Sequence, residues 1–211
     1  MEASNRTYLP AAGSDWALPL YDPMVKLLGG EKTRLAMLDA AGVRPSERVL
    51  DIGCGTGTLA VAIKRRYPDV EVVGLDPDPK ALERAKAKAR RACVPVRFDR
   101  GFADELPYPD ESFDRVFSSF MFHHLEAENR EKTLREVRRV LAPGGSFHLL
   151  DFERPEKPGG LISRHLNEHF KDNTEQRIVA FLRQAGFASV RKATSGRAFF
   201  GLIRTGYYQA A

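Results

Sequence analysis

Residues 48–57 read Arg-Val-Leu-Asp-Ile-Gly-Cys-Gly-Thr-Gly. A short apolar run ends at Asp51 and continues into three glycines spaced two residues apart, Gly53, Gly55 and Gly57. Glycine is needed where a backbone turns sharply or approaches a ligand without a Cβ in the way. Because a helix-forming stretch follows at once, the pattern predicts a strand, a glycine turn and a helix N-terminus that together cradle a nucleotide-sized ligand.

The spacing of the glycines separates two kinds of cofactor. A dinucleotide site has the pattern Gly-x-Gly-x-x-Gly, but here its third glycine position is Thr58 and the glycine stands at Gly57. The carboxylate of Asp51 suits a ligand with an amino group and a sulfonium better than it suits a pyrophosphate. An NAD-dependent enzyme is therefore disfavoured.

The stretch from Val49 to Gly57 resembles, at every position, the cofactor loop of the class I S-adenosylmethionine (SAM) methyltransferases. Other stretches that resemble this family are Ala-Asp-Glu-Leu-Pro at 103–107, Phe-Asp-Arg-Val at 113–116 and Leu-Ala-Pro-Gly-Gly at 141–145. The resemblance covers about residues 48–152, and it is closest to the group that contains quinone-biosynthesis C-methyltransferases and many small-molecule enzymes. Tyr21-Asp22, ahead of the first strand, suits that group.

Strand-like and helix-like stretches alternate along the chain, which predicts a Rossmann-like α/β fold. We expect a seven-stranded, mostly parallel sheet with helices on both faces and an antiparallel final strand. The predicted strands are 48–53, 71–75, 94–99, 113–118, 146–152, 188–194 and 198–208, and the predicted helices after the first strand are 57–67, 79–92, 129–141 and 174–185. Turns are predicted at Pro143-Gly144-Gly145 and, between the last two strands, at Ser195-Gly196.

Two domains are predicted from this pattern. Residues 1–47 form an N-terminal helical extension, with helices at Tyr21–Leu28 and Glu31–Ala41, that covers the substrate at the C-terminal edge of the sheet. Residues 48–211 form the SAM-binding methyltransferase domain.

Size and composition favour a cytoplasmic protein with one substantial core. The chain has 211 residues, of which 43% are hydrophobic, and no apolar run reaches membrane-spanning length. Its first residues lack the pattern of a signal peptide. Two cysteines, Cys54 and Cys93, do not make a disulfide framework and are interpreted as thiols in a reducing compartment.

The net charge of +5 comes largely from a basic stretch over residues 84–91. A phosphate-binding face is one interpretation of this stretch. The solvated side of a helix whose Leu82, Ala85, Ala89 and Ala92 pack inward is the favoured one, so we do not expect nucleic-acid binding.

The resemblance implies roles for residues at the C-terminal ends of the strands, where ligands bind in open α/β sheets. Gly53 and Gly55 would lie against the methionyl part of SAM, and Asp51 would orient its amino group. Asp76 would accept hydrogen bonds from the ribose and Asp104 one from the adenine. The predicted cofactor-binding residues are Asp51, Gly53, Cys54, Gly55, Gly57, Asp76, Pro77, Ala103, Asp104, Ser118 and Ser119.

On the acceptor side, His123 and His124 are the candidate catalytic residues, because they follow the fourth strand and titrate near neutral pH. The alternative is a structural histidine that is bonded to the backbone at the start of the next helix. The same place lacks the Asn/Asp-Pro-Pro-Tyr motif of enzymes that methylate the exocyclic amines of nucleobases. That reaction is therefore disfavoured.

The stretch His165-Leu-Asn-Glu-His169 matches a His-x-x-Glu-His metalloprotease pattern. A catalytic zinc needs a third protein ligand, and few candidates besides Glu175 remain downstream. We therefore predict no metal site.

Together these observations predict an enzyme that transfers the methyl group of SAM to a small-molecule acceptor by in-line displacement. An RNA or protein methyltransferase and a SAM-binding module without catalysis are the alternatives. The acceptor atom stays open, as does the choice between a monomer and a homodimer.

Overall fold

The computed structural model describes residues 30–154, 173–198 and 203–211. The helices are α1 Gly30–Ala41, α2 Thr58–Arg66, α3 Pro79–Arg91, α4 Ala127–Val140 and α5 Glu175–Gln184. The strands are β1 Arg48–Ile52, β2 Glu71–Asp76, β3 Arg97–Arg100, β4 Phe113–Ser119, β5 Leu141–Glu153, β6 Val190–Ala198 and β7 Ile203–Ala210. A 3₁₀ turn at Phe122–His124 separates β4 from α4.

The strands form a seven-stranded sheet in the order β3-β2-β1-β4-β5-β7-β6. Strands β1 to β5 are parallel to their neighbours, whereas β7 runs antiparallel to both β5 and β6. This confirms the predicted fold class, including the antiparallel final strand. The strand order reverses beside β1, so the crevice that binds ligands in such sheets lies above the C-terminal ends of β1, β2 and β4.

The sheet carries one apolar core on each face, as buried parallel strands require. Along β1 the side chains alternate, so that Val49 joins one core while Leu50 and Ile52 join the other. The first core also contains Met37 and Leu38 of α1 and residues of α2. The second is closed by α4 and α5, through residues such as Leu134 and Ile178.

The predicted turn at Ser195-Gly196 is wrong. Both residues lie inside β6, where they pair with Gly206 and Thr205 of β7, and the ladder continues until Ala198 meets Ile203. A Cβ on Gly196 would lie only 2.7 Å from Oγ1 of Thr205. The glycine is therefore explained by close approach across the strands, whose pairing extends past the predicted turn as far as Ala198 and Ile203.

The glycines at the start of β5 interrupt the ladder to β4 without leaving the strand. The register shifts between the pair Phe113–Leu141 and the pair Arg115–Ser146. Gly144 has φ 78° in this interval, a left-handed conformation that favours glycine. The predicted turn at 143–145 is therefore an irregularity within β5, which is longer than expected.

Helix α1 begins one residue before the predicted helix Glu31–Ala41 and ends where that helix was predicted to end. It contacts α2, β5 and β6. The other predicted helix, Tyr21–Leu28, lies outside the described residues, and the role of 1–47 as a substrate cover stays a prediction. Within the described parts of the chain, no helix is both long and apolar enough to cross a membrane.

Candidate functional site

The glycine loop between β1 and α2 has a backbone that other residues would strain. Gly53, Gly55 and Gly57 have φ values of 63°, 53° and 73°. A Cβ on Gly53 would overlap the side chain of Met121, and one on Gly57 would lie 2.7 Å from the Cβ of Ala85. The loop thus brings bare backbone to the C-terminal edge of the sheet and fits tightly against its neighbours.

Asp76, the last residue of β2, ties this loop to the adjacent strand. One of its carboxylate oxygens accepts a hydrogen bond from the amide of Gly55 at 2.8 Å, and the other accepts from the amide of Asp78 at 2.9 Å. Burial raises its pKa to about 6, although both hydrogen bonds favour the anion. Each oxygen retains a further lone pair, so the side chain can still accept from hydroxyl groups of a ligand.

Asp51, near the end of β1, is a buried carboxylate whose two oxygens make no hydrogen bond with the described residues. Its side chain is fully buried, and burial raises its pKa to about 7. The positive charge of Arg34 lowers this pKa and so favours the anion, as does the nearby backbone amide of Ala60. A buried carboxylate without a partner is unfavourable, so the site is prepared for a cationic or donor group.

A cavity of about 360 Å³ opens above the loop. The predicted residues that line it are Gly53, Cys54, Gly55, Asp76, Pro77, Ala103, Asp104, Ser119 and His124. These come from the ends of β1, β2 and β4 and from the segment after β3, as the rule for open sheets predicts.

Four predicted residues do not line this cavity: Asp51, Gly57, Ser118 and His123. Gly57 faces α3, and Ser118 is fully buried within β4.

The two neighbouring histidines have different surroundings. His124 lines the cavity, whereas Nδ1 of His123 lies 2.6 Å from a carboxylate oxygen of Asp151 at the end of β5. The backbone amide of His123 donates to the other oxygen of Asp151 at 2.9 Å. The two imidazole rings touch, with centroids 3.9 Å apart. Asp151 therefore fixes His123, and His123 supports the ring that faces the cavity.

Asp151 is surrounded by hydrogen-bond donors and a nearby positive charge. It is fully buried and also accepts a hydrogen bond from the amide of Phe152 at 2.7 Å. Arg130, buried above the ring of Phe122 at 5.1 Å, lies close enough for the negative charge of Asp151 to act on its pKa. A carboxylate paired in this way to one imidazole nitrogen favours the tautomer that leaves the other nitrogen without a proton.

Sequence reasoning missed Arg34 of α1, which lines the cavity. Its Nε donates to Oγ of Ser119 at 3.1 Å, and its guanidinium lies 5.1 Å from the ring centroid of Phe120. A single arginine in an amphipathic helix outside residues 48–152 carries no sequence signal for such a role.

The two cysteines have different surroundings, and the described residues bear on only part of the metal prediction. Cys54 is buried in the loop, and burial, followed by the charges of Asp51 and Asp76, raises its pKa well above the ordinary value. It is thus a neutral thiol, while Cys93 is exposed. Within the described ranges no group of His, Cys, Asp and Glu side chains could hold a metal ion, and the stretch 165–169 lies outside those ranges.

Comparison with known proteins agrees with this geometry. A family model described as a methyltransferase domain matches residues 49–145. A demethylmenaquinone methyltransferase of Thermus thermophilus is 41% identical over 150 residues, which are 69% of this chain and 67% of that protein. The ubiquinone/menaquinone biosynthesis C-methyltransferase UbiE of Vibrio campbellii is 36% identical over 201 residues, covering 81% of this chain and 77% of that protein.

Solved structures show the same fold. Phosphoethanolamine N-methyltransferase 2 of Haemonchus contortus, solved with S-adenosylhomocysteine, superposes with a TM-score of 0.78 at 18% identity. The superposition covers 95% of this chain and 58% of that one.

Proposed function

The chain belongs to the family of SAM-dependent methyltransferases, and we propose that its cavity binds SAM and directs the methyl group to a small-molecule acceptor. One observation carries the proposal. The glycine loop, the buried unpaired carboxylate of Asp51 and the half-satisfied carboxylate of Asp76 meet at the C-terminal edge of the sheet.

The residues present fit the chemical groups of this cofactor. Asp51 would compensate the ammonium group, which would give its buried charge the partner that it lacks. Asp76 would accept hydrogen bonds from the ribose hydroxyls with the lone pairs that are not used by the amides of Gly55 and Asp78. Asp104 and the backbone of Ala103, both on the cavity wall, would recognise the adenine edge.

SAM supplies, when bound, a methyl group activated by a positively charged sulfur. The protein's own contribution is then alignment of the acceptor and exclusion of water, effects that can contribute up to about 10 kcal/mol. Ser119, Phe120 and Met121 line the cavity immediately after β4 and would form the wall along which the acceptor approaches.

For proton removal we propose His124 as the base, because its side chain lines the cavity. His123 would act through it as a positioning residue, held by Asp151 at 2.6 Å and in ring contact with His124. The sequence left the choice between the two histidines open, and the cavity lining supports His124.

For the acceptor we propose a ring that carries ionisable hydroxyl groups, as in a quinol. The support is that the similar proteins of Thermus thermophilus and Vibrio campbellii are a demethylmenaquinone methyltransferase and a ubiquinone/menaquinone biosynthesis C-methyltransferase. A base on the cavity wall suits such an acceptor, because a hydroxylated ring becomes a better nucleophile when it loses a proton.

The alternatives from the sequence gain less support. The basic helix α3 turns Lys88 inward to the hydroxyls of Thr56 and Thr58, so that one of its charges serves the loop. This weakens the case for RNA or an acidic protein as substrate. A cytoplasmic location stays a prediction, and the choice between a monomer and a homodimer stays open.

The first experiment tests the cofactor by calorimetry. SAM and S-adenosylhomocysteine should bind and raise the melting temperature, since a ligand of the native state stabilises it, and NAD should not. Asp76→Ala should weaken S-adenosylhomocysteine binding by at least about tenfold, because charge-assisted hydrogen bonds each contribute roughly 1.5–3 kcal/mol. Asp76→Asn removes the charge but keeps one oxygen, which can accept from the amide of Gly55 or from that of Asp78, so it should weaken binding less than Asp76→Ala does. Tight NAD binding without SAM binding would refute the proposal.

The second experiment tests the base with SAM and 1,4-naphthohydroquinone as a probe acceptor. His124→Ala should lower turnover by roughly 10²–10⁴ while S-adenosylhomocysteine affinity changes little. His123→Ala should alter the pH profile of turnover as well as its rate, because it removes an ionisable ring that is in contact with the ring of His124. If both variants turn over normally, catalysis rests on alignment alone.

A further inference from the structure

Arg34 belongs to the N-terminal helix α1, yet its guanidinium reaches the cavity above the β-sheet. Its relative exposure is 7%, so the charge is almost removed from water. A buried charge is unfavourable unless it is paired. Its hydrogen bond from Nε to Ser119 is to a neutral hydroxyl, which does not compensate the charge.

Two contacts aim the guanidinium at a fixed place. The Nε–Oγ bond to Ser119 holds it at the C-terminal end of β4, and the ring of Phe120 lies 5.1 Å below it. Both neighbours line the same cavity. The nitrogen Nε is thus used for positioning, and the guanidinium offers further N–H donors on its two terminal nitrogens.

The charges around the cavity are unequal. Asp76, Asp104 and Glu126 line it. Asp51 is buried close enough to Arg34 for the positive charge of Arg34 to lower the pKa of Asp51. Among the described residues that line the cavity, Arg34 is the only lysine or arginine. Three acidic side chains and one arginine suit a ligand that carries several hydrogen-bond donors and in which an anionic group stands next to a cationic one.

We infer that Arg34 binds the α-carboxylate of the cofactor's methionyl part, so that Arg34 and Asp51 together recognise its zwitterionic amino-acid end. This inference rests on the proposed SAM-binding function. A guanidinium is suited to a carboxylate, because its planar N–H groups match two carboxylate oxygens. The N-terminal helix thereby contributes to the cofactor site as well as to any cover of the acceptor.

A different use of Arg34 makes a different prediction. If Arg34 instead served an acidic group of the acceptor, the affinity for the cofactor product would not depend on it. If it served only the packing of α1, its loss would weaken every ligand of the cavity alike.

The test compares two ligands that share the adenosine part. S-Adenosylhomocysteine carries the amino-acid end, whereas 5′-deoxy-5′-methylthioadenosine lacks it. We expect Arg34→Met to weaken S-adenosylhomocysteine binding in calorimetry by about tenfold or more, which corresponds to about 1.4 kcal/mol, and to change methylthioadenosine binding less than about twofold. Arg34→Lys, which keeps a point charge without the planar fork, should give an intermediate loss.

Arg65→Met serves as the control for long-range charge, because Arg65 is an exposed residue of α2 that does not line the cavity. It should leave both affinities unchanged. Unchanged S-adenosylhomocysteine affinity in Arg34→Met would refute the inference while leaving the proposed function intact, and so would a parallel loss for both ligands. Failure of the wild-type protein to bind S-adenosylhomocysteine would refute the proposed function itself.

Discussion

At the scale of single residues, the site is built from carboxylates that the fold alone does not satisfy. Asp51 has no hydrogen-bond partner among the described residues, and Asp76 accepts from the amides of Gly55 and Asp78 while it faces the cavity. Burial raises the pKa of both, to about 7 and about 6. Perturbed carboxylates in a cleft are typical of functional sites.

The burial of Asp51 predicts a pH-dependent loss of stability in the ligand-free protein. Its pKa rises from 3.8 to about 7 on folding, so between these values the folded state binds more protons than the unfolded state. Stability contributed by the protonated form is therefore lost as the pH rises through this window. Asp51→Asn cannot ionise, so its stability relative to wild type should increase from pH 4 to pH 7.5.

Urea denaturation at several pH values measures this difference. The charge of Asp76 also raises the pKa of Asp51, so the same comparison is repeated in an Asp76→Asn background, where this coupling is absent. A stability difference between Asp51→Asn and wild type that does not change with pH would mean that Asp51 is ionised at low cost in the folded protein. The same variant should bind S-adenosylhomocysteine more weakly, because it cannot compensate the ammonium charge.

Part of the site was predictable from the sequence, because some of its residues stand at the ends of predicted strands. Asp76 and Asp104 follow strands in a sheet whose order the alternating pattern implies, so their positions follow from the topology. Arg34 was not predictable, since its place depends on how α1 packs across the sheet. The separate surroundings of His123 and His124 depend on Asp151, which lies far away in sequence.

At the scale of elements, the helix α3 supports the glycine loop from the side. Nζ of Lys88 donates to Oγ1 of Thr56 at 3.1 Å and to Oγ1 of Thr58 at 2.6 Å. Helix α2 begins after Gly57, which has no side chain that could cap the helix N-terminus. The lysine thus joins the loop and the first residue of α2 to a neighbouring helix.

This contact predicts that Lys88→Met weakens cofactor binding although Lys88 does not line the cavity. Hydrogen bonds of charged groups contribute roughly 1.5–3 kcal/mol, and loss of part of this in the loop should reduce S-adenosylhomocysteine affinity about three- to tenfold. Lys86→Met is the matched control, since Lys86 lies on the same helix and pairs with Glu83 at the surface. Equal affinities for both variants would show that the loop holds its shape without Lys88.

The strands show which boundaries local patterns can give. Strand β4 was predicted within one residue of its observed end, because its apolar run is continuous and bounded. The β6–β7 connection was misplaced, because Gly196 marks close approach to Thr205 and a glycine there has the same local signal as a turn. Local composition cannot separate these two causes, since the difference lies in the partner strand.

At the scale of the whole molecule, a chain of buried polar contacts links the two halves of the sheet. Arg115 of β4 pairs with Glu47 at 3.0 Å and donates to Ser146 of β5 at 2.8 Å. Ser146 and Tyr207 of β7 then contact the two ring nitrogens of His148, each at 2.8 Å. The parallel and antiparallel parts of the fold are therefore joined by side-chain hydrogen bonds as well as by apolar packing.

His148 makes this network sensitive to acid. The histidine is fully buried and stacks on Phe117 with ring centroids 4.8 Å apart. Burial, with the charges of Arg115 and Arg191 adding to it, lowers its pKa from 6.5 to about 3. Because the unfolded state binds the proton more readily, the stability due to neutral His148 is present above pH 6.5 and is lost as the pH falls towards 3.

The last prediction is that His148→Gln destabilises the protein most at neutral pH. Glutamine offers one acceptor and two donors but does not titrate, so the variant lacks the acid-linked loss of the wild type. We expect a destabilisation of about 1–3 kcal/mol at pH 7.5, the usual cost of disturbing buried hydrogen bonds, that shrinks as the pH falls towards 4. Urea denaturation of both proteins at matched pH measures this difference, in which the titrations of Asp51 and Asp76 cancel. Stability curves that stay parallel over the whole range would mean that His148 is protonated in the folded state as easily as in the unfolded chain.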